Sequence, residues 1–155
     1  MPASQPITLA IEISNPAHAS PLATGVVMES GGGSGTRRSA AVGLARGETW
    51  LGGIPLDSSD RHDDALMPGI DRLCREHGVT PRDLSRIAVS VGPGGFTSLR
   101  IAVTVAKVIA ETSGAACIPV PTAEASILAV DPARYANRAV SVCLAWKRET
   151  VWRQL

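Results

Sequence analysis

The chain has 155 residues, 45% of them hydrophobic, and a net charge of +1, with Arg37-Arg38 and Lys147-Arg148 as its longest basic runs. That length supports one ordinary core and part of a second, and the charge excludes a protein that holds nucleic acid tightly through its own basic surface. No apolar run approaches the ~20 residues of a membrane span and the N-terminal Met-Pro-Ala-Ser-Gln-Pro lacks a leader pattern. Cys74, Cys117 and Cys143 are too scattered for a disulfide framework or Cys-x-x-Cys metal pairs, so a cytoplasmic location is expected.

In chain order, Ile7, Leu9, Ile11 and Ile13 alternate with Thr8, Ala10, Glu12 and Ser14, which predicts a central strand buried on one face. Further strands are expected at 23–29 and at 40–44, the first ending in a glycine loop at 31–35 and the second stopping near Arg46-Gly47. Short connections of this kind favour antiparallel neighbours. The glycine loop is read as an enlarged turn, since nothing near it supplies the charge a phosphate needs.

A helix follows the capping residues Asp57-Ser58-Ser59-Asp60, with Leu66, Ile70, Leu73, Cys74 and His77 on one face, Pro68 as a kink or a delayed start, and Gly78 as its end. Asp60, His62, Asp63 and Asp64 complement the positive end of that helix better than they describe a metal site. Thr80-Pro81-Arg82-Asp83 predicts a single capped turn leading into a strand at 86–91.

The most informative segment comes next. The strand ends at Gly92, the backbone turns through Gly92-Pro93-Gly94-Gly95, and a helix is expected at about 98–113, capped by Thr97 or Ser98 in front and Gly114 behind. Such a loop presents backbone N–H groups at a helix start, where a phosphate, a carboxylate or a partner's backbone is received. Thr97 stands where Gly-x-G-x-x-Gly needs its last glycine, and no Gly-Lys-Ser/Thr follows, so neither familiar nucleotide loop is supported. In the helix, Leu99, Ile101, Val103, Val105, Val108 and Ile109 surround the axis and Ala102, Ala106 and Ala110 recur every four residues. All-round apolar character implies burial on more than one side, by the domain itself or by another chain.

A strand at 116–120, a helix at 122–130 and two strands at 139–144 and 150–155 complete the chain. The element order describes a ribonuclease-H-like α/β lobe over residues 1–130, a mixed five-stranded sheet flanked by helices, and over 131–155 the first hairpin of a second similar lobe. The second lobe is expected to be incomplete at Leu155, where its hairpin would lack covering helices.

Val91-Gly92-Pro93-Gly94-Gly95-Phe96-Thr97-Ser98-Leu99-Arg100-Ile101-Ala102-Val103 closely resembles the Gly-Pro-Gly-Ser-Phe-Thr-Gly-Leu-Arg-Ile-Gly signature of the TsaB (YeaZ) family, glycoprotease-like accessory proteins of bacterial threonylcarbamoyladenosine biosynthesis. Residues 7–14 resemble that family's first strand, 62–73 its first helix, Asp83-Leu84 and Ile87-Ala88-Val89 its lead-in to the loop, and 122–128 its next helix. The resemblance is strongest over 82–128. It implies two lobes of the sugar-kinase, heat-shock and actin superfamily, and a non-catalytic subunit that supports threonylcarbamoyl transfer to adenosine 37 of tRNA by docking onto a TsaD-type partner through its helices.

On that resemblance the signature loop is Gly92, Pro93, Gly94, Gly95, Phe96, Thr97 and Arg100, and the expected partner-binding residues are Leu66, Ile70, Leu73, Ala102, Ala106, Ile109 and Ala110. The domain's own core is the competing explanation for each of them. No catalytic residue, cofactor or metal is expected, and tRNA is met only indirectly. The catalytic TsaD-type relative carries His-x-x-x-His, whereas Leu66 stands four residues after His62. Glu12 and Ser14 replace the superfamily's Asp-x-Ser/Thr/Gly, moving the carboxylate by a methylene. Gly95 and Ser98 exchange the family's serine and glycine, and Leu144-Ala145-Trp146 replaces its Asp-Ala-Arg. A nucleotide- or metal-dependent enzyme of the same superfamily and a homodimerising module are the alternatives.

Overall fold

The computed structural model describes residues 5–13, 40–56, 62–128, 141–146 and 149–154. The strand expected at 23–29, the glycine loop at 31–35, Ser14, the capping cluster at 57–60 and the end of the helix at 129–130 lie outside the described residues.

Strand β1 (Ile7–Glu12) is central. It pairs antiparallel with β2 (Ala41–Arg46) and parallel with β4 (Leu84–Ser90); β3 (Thr49–Pro55) lies antiparallel on β2 and β5 (Ala116–Val120) parallel on β4. The sheet order is β3-β2-β1-β4-β5, the mixed five-stranded ribonuclease-H-like sheet. Strands β6 (Ser141–Trp146) and β7 (Glu149–Gln154) form a separate antiparallel pair.

Register explains where the core sits. Leu9 stands opposite Leu44 on one side and Ile87 on the other, and Ile11 opposite Val42 and Val89. A one-residue slip would turn this whole set to the other face. Helices α1 (His62–Glu76) and α2 (Phe96–Ser113) cover the apolar side, α1 over β2 and β3 and α2 over β4, β5 and β1. Leu66 and Leu73 from α1, and Ala102 and Ala106 from α2, join Leu9, Ile11 and Leu44 in one buried cluster. α1 continues through Pro68 from His62, and Gly78 follows it at φ 62°.

The third strand of the sheet is Thr49–Pro55, where sequence periodicity gave no strand. Gly52 and Gly53 hide it, since glycine weakens strand patterning and has no side chain to alternate. The Trp50 ring takes up the space that side chains at Gly43 and Gly53 would need: a Cβ on Gly53 would lie 2.8 Å from the Trp50 Cζ2, and one on Gly43 would also meet the ring. An aromatic laid over paired glycines in this way restores packing to a strand that has lost its own.

The turn before β4 forms as expected. Pro81–Asp83 is a single 3-10 turn, and the Asp83 carboxylate accepts hydrogen bonds from the Thr80 N–H at 2.7 Å and the Thr80 hydroxyl at 2.6 Å. These bonds, the hydroxyl's first, with a further contribution from Arg46, hold the Asp83 carboxyl below the usual carboxylate range. A depressed folded-state pKa contributes stability above the unfolded-state pKa and loses it as pH falls through the folded value. Asp83→Asn is therefore expected to lower the melting temperature at neutral pH. Thermal melts through the acid range should show this difference shrinking once pH drops below the carboxylate range.

Candidate functional site

The glycine loop lies where β4 ends, beside the end of β5, the edge of a parallel sheet at which α/β proteins place their functional loops. The Val91 N–H donates to the Val120 carbonyl at 3.0 Å, and the Gly92 carbonyl accepts from the Thr122 N–H at 2.9 Å. Below the loop the side chains of Ser90 and Thr122 share a buried hydrogen bond of 2.5 Å. Gly92 adopts φ 100° and precedes a cis bond to Pro93. A Cβ there would lie 3.0 Å from Leu99 Cδ1, so the loop is seated on the first turn of α2.

Helix α2 starts two residues before the expected position. Its N-cap is Gly95, with φ −62° and ψ 121°, and no side-chain bond caps it; Thr97 and Ser98 lie inside the first turn. The loop's own path puts Gly95 at the boundary, and the Leu99 N–H donates to its carbonyl at 2.9 Å. At the other end Gly114 takes φ 77° and its N–H bonds the Ala110 carbonyl, as a glycine C-cap does.

Two residues of the signature project outward. Phe96 is 74% exposed, and the Arg100 guanidinium stacks over its ring at 5.4 Å from the centroid. A cation–π contact at an exposed site contributes about 0.5–1 kcal/mol, too little to explain leaving the chain's single phenylalanine in water. The first turn of α2 carries no acidic residue, so the positive end of the helix and Arg100 act in the same direction.

The residues assigned to a partner from the sequence lie mostly beneath this surface. Leu66, Ile70 and Leu73 are buried, Ala102 and Ala106 are fully so and Ala110 nearly so, all within the domain's own cluster. Ile109 is partly buried against that cluster. The alanine row thus brings α2 close to the sheet, and the large apolar side chains that the described residues of α1 and α2 expose, besides Phe96, are different ones: Val108, 57% exposed, on α2 and Met67, 49% exposed, on α1. Exposed pairs Arg72–Glu76 and Arg75–Asp71, at 2.8 and 2.9 Å, neutralise each other along α1; each contributes only about 0.3–0.5 kcal/mol.

Among the described residues no three of His, Cys, Asp and Glu converge as metal ligands, and no helix is long and apolar enough to cross a membrane. Burial, and then the nearby Asp71, push the Cys74 thiol up, which disfavours the nucleophilic thiolate. An open recess of about 530 Å³, lined by Lys107, Glu111 and Cys117 among others, lies at the C-terminal end of α2, away from the glycine loop. Sequence reasoning missed the Ser90–Thr122 pair; a serine directly after the apolar run Ile87-Ala88-Val89 was its one signal.

A family model described as TsaD, tRNA N6-adenosine threonylcarbamoyltransferase, matches residues 48–146. The tRNA threonylcarbamoyladenosine biosynthesis protein TsaB of Bacillus subtilis (strain 168) is 35% identical over 69 residues, which are 44% of this chain and 30% of that protein. The tRNA N6-adenosine threonylcarbamoyltransferase of Persephonella marina is 37% identical over 82 residues, 53% of this chain and 24% of that protein. The chain thus spans between a quarter and a third of the length of these curated relatives. Among solved structures, YeaZ from Pseudomonas aeruginosa shares the fold with a TM-score of 0.58 at 20% identity, covering 97% of this chain and 66% of that one. A second structure, described as similar to peptidase YeaZ from Pseudomonas aeruginosa, gives 0.61 at the same identity and coverage. With the family model covering most of the chain and the signature loop in its expected place between β4 and α2, the chain belongs to the TsaD family and is a TsaB/YeaZ-like member of it.

Proposed function

We propose that the chain acts as a non-catalytic, TsaB-like subunit that docks onto a TsaD-type catalytic protein and so supports threonylcarbamoyl transfer to tRNA, without gripping the tRNA itself. The observation that carries this reading is the outward-facing Phe96–Arg100 pair at the head of α2, with Val108 and Met67 exposed on the same helical layer. Large apolar side chains held in water by a rigid scaffold mark interaction surfaces, and an aromatic with an arginine is the usual composition of a binding hot spot. The buried residues Leu66, Ile70, Leu73, Ala102, Ala106 and Ala110 serve this surface from beneath by fixing the two helices on the sheet, and Ile109 flanks it. The near-neutral charge fits a scaffold better than an RNA clamp. Cytoplasmic residence and a second lobe opening at 131–155 belong to the same proposal.

Light scattering behind size exclusion, on the chain alone and mixed with the TsaD-type protein of the same genome, tests this directly. A heterocomplex is expected. Phe96→Ala should weaken it by roughly 2 kcal/mol, about thirty-fold in Kd, with an unchanged melting temperature; undiminished binding would remove Phe96 from the interface, and a homodimer indifferent to that protein would favour the homodimerising alternative. The rival enzymatic reading draws on the transferases among the relatives and on the loop's place at the strand ends. It requires calorimetric heat with magnesium and ATP that Glu12→Gln abolishes.

A further inference from the structure

The hydrogen bond between Ser90 and Thr122 joins residues 32 positions apart in sequence, and both side chains are 96% shielded from water, being 4% exposed. They stand where the chain leaves the ends of the parallel strands β4 and β5, Ser90 as the last residue of β4 and Thr122 as the first of α3 (Thr122–Leu128). Around them the parallel ladder runs past the strand ends, through the Val91 N–H to Val120 and the Thr122 N–H to Gly92. The loop it anchors contains three glycines and is entropically costly to hold in one conformation. Beyond this junction, among the described residues, the Leu99 N–H bonds the Gly95 carbonyl and the Leu99 side chain lies under Gly92.

We propose that Ser90 and Thr122 form a hydroxyl clip that sets the path of the Gly92 to Gly95 loop and thereby positions Phe96 and Arg100 for docking. Both are positioning residues, buried and out of a partner's reach. The docking half of this inference rests on the function proposed above; the clip itself does not. Removing either hydroxyl takes a bond from its buried mate, whereas a substitution that keeps the hydroxyl preserves it. The clip's geometric role is therefore read from rescue by the retained hydroxyl.

Amide hydrogen exchange on the isolated chain and titration with the TsaD-type protein together test the proposal. Thr122→Val, and the double variant Ser90→Ala with Thr122→Val, are expected to raise exchange at the Val91 and Leu99 amides, which bond the Val120 and Gly95 carbonyls, at least ten-fold, while Leu9 and Leu44 in the central strands keep wild-type protection. Partner affinity should fall by a similar factor, and Thr122→Ser, which keeps the hydroxyl, should restore both. Wild-type loop exchange in the double variant overturns the clip. Raised loop exchange with undiminished affinity overturns its role in docking. If the wild-type chain binds no such partner, the docking reading falls, and raised loop exchange still supports the clip.

Discussion

Ala106→Glu is expected to unfold the lobe. Ala106 is fully buried where α2 crosses the sheet, within the cluster that holds Leu9, Ile87 and Val89. A glutamate there inserts four further heavy atoms beyond the methyl into a close-packed layer, an overpacking cost of about 1–3 kcal/mol. It also buries a carboxyl without a hydrogen-bond partner, for several kcal/mol more even when the group takes up a proton. Against a total stability of about 5–15 kcal/mol, the sum removes most or all of the cooperative transition. Far-ultraviolet circular dichroism on heating should show no sharp melt near that of the wild type. Val108→Glu, two residues on and solvent-facing, should melt within about 0.5 kcal/mol of the wild type yet fail to form the heterocomplex. A well-folded Ala106→Glu would mean that α2 does not sit on the sheet through its alanines.

Gly92→Ala is expected to cost about 1–3 kcal/mol, because φ 100° is open to glycine and rarely to an L side chain. The new methyl would also stand 3.0 Å from Leu99 Cδ1, so relief requires moving either the loop or the first turn of α2. Gly95→Ala is the control. Its φ of −62° and ψ of 121° suit any residue, and the change should cost under ~1 kcal/mol. Urea unfolding of the two variants beside the wild type checks the ranking. Equal costs would show that loop composition matters there and the particular backbone of Gly92 does not.

Much of the candidate site was legible because its signals are local. β-branched alternation up to Val91, the run Gly92-Pro93-Gly94-Gly95, the turn at Pro81 and the glycine cap at Gly114 each report backbone conformation within a few residues. The start of α2 was misplaced by two residues because Thr97 and Ser98 have the right chemistry for a cap, while the helix boundary was set by how the loop descends from β4 to Gly95. Strand β3 was missed because its glycines carry no pattern; the tryptophan that covers them does so across the pairing with β2, a relation that exists only once the hairpin has formed.

By itself the sequence determined the strand, loop and helix read at residues 86–113, the apolar face of β1, the burial of small residues along α2 and the family signature in the loop. Only the tertiary structure decided which surface those alanines meet, and that Phe96, Val108 and Met67 stay exposed. Periodicity counts how many sides of a helix are apolar and is silent on what lies against each side. That is settled by sheet register and by the direction in which the loop releases the helix, both of which depend on residues far apart in the chain.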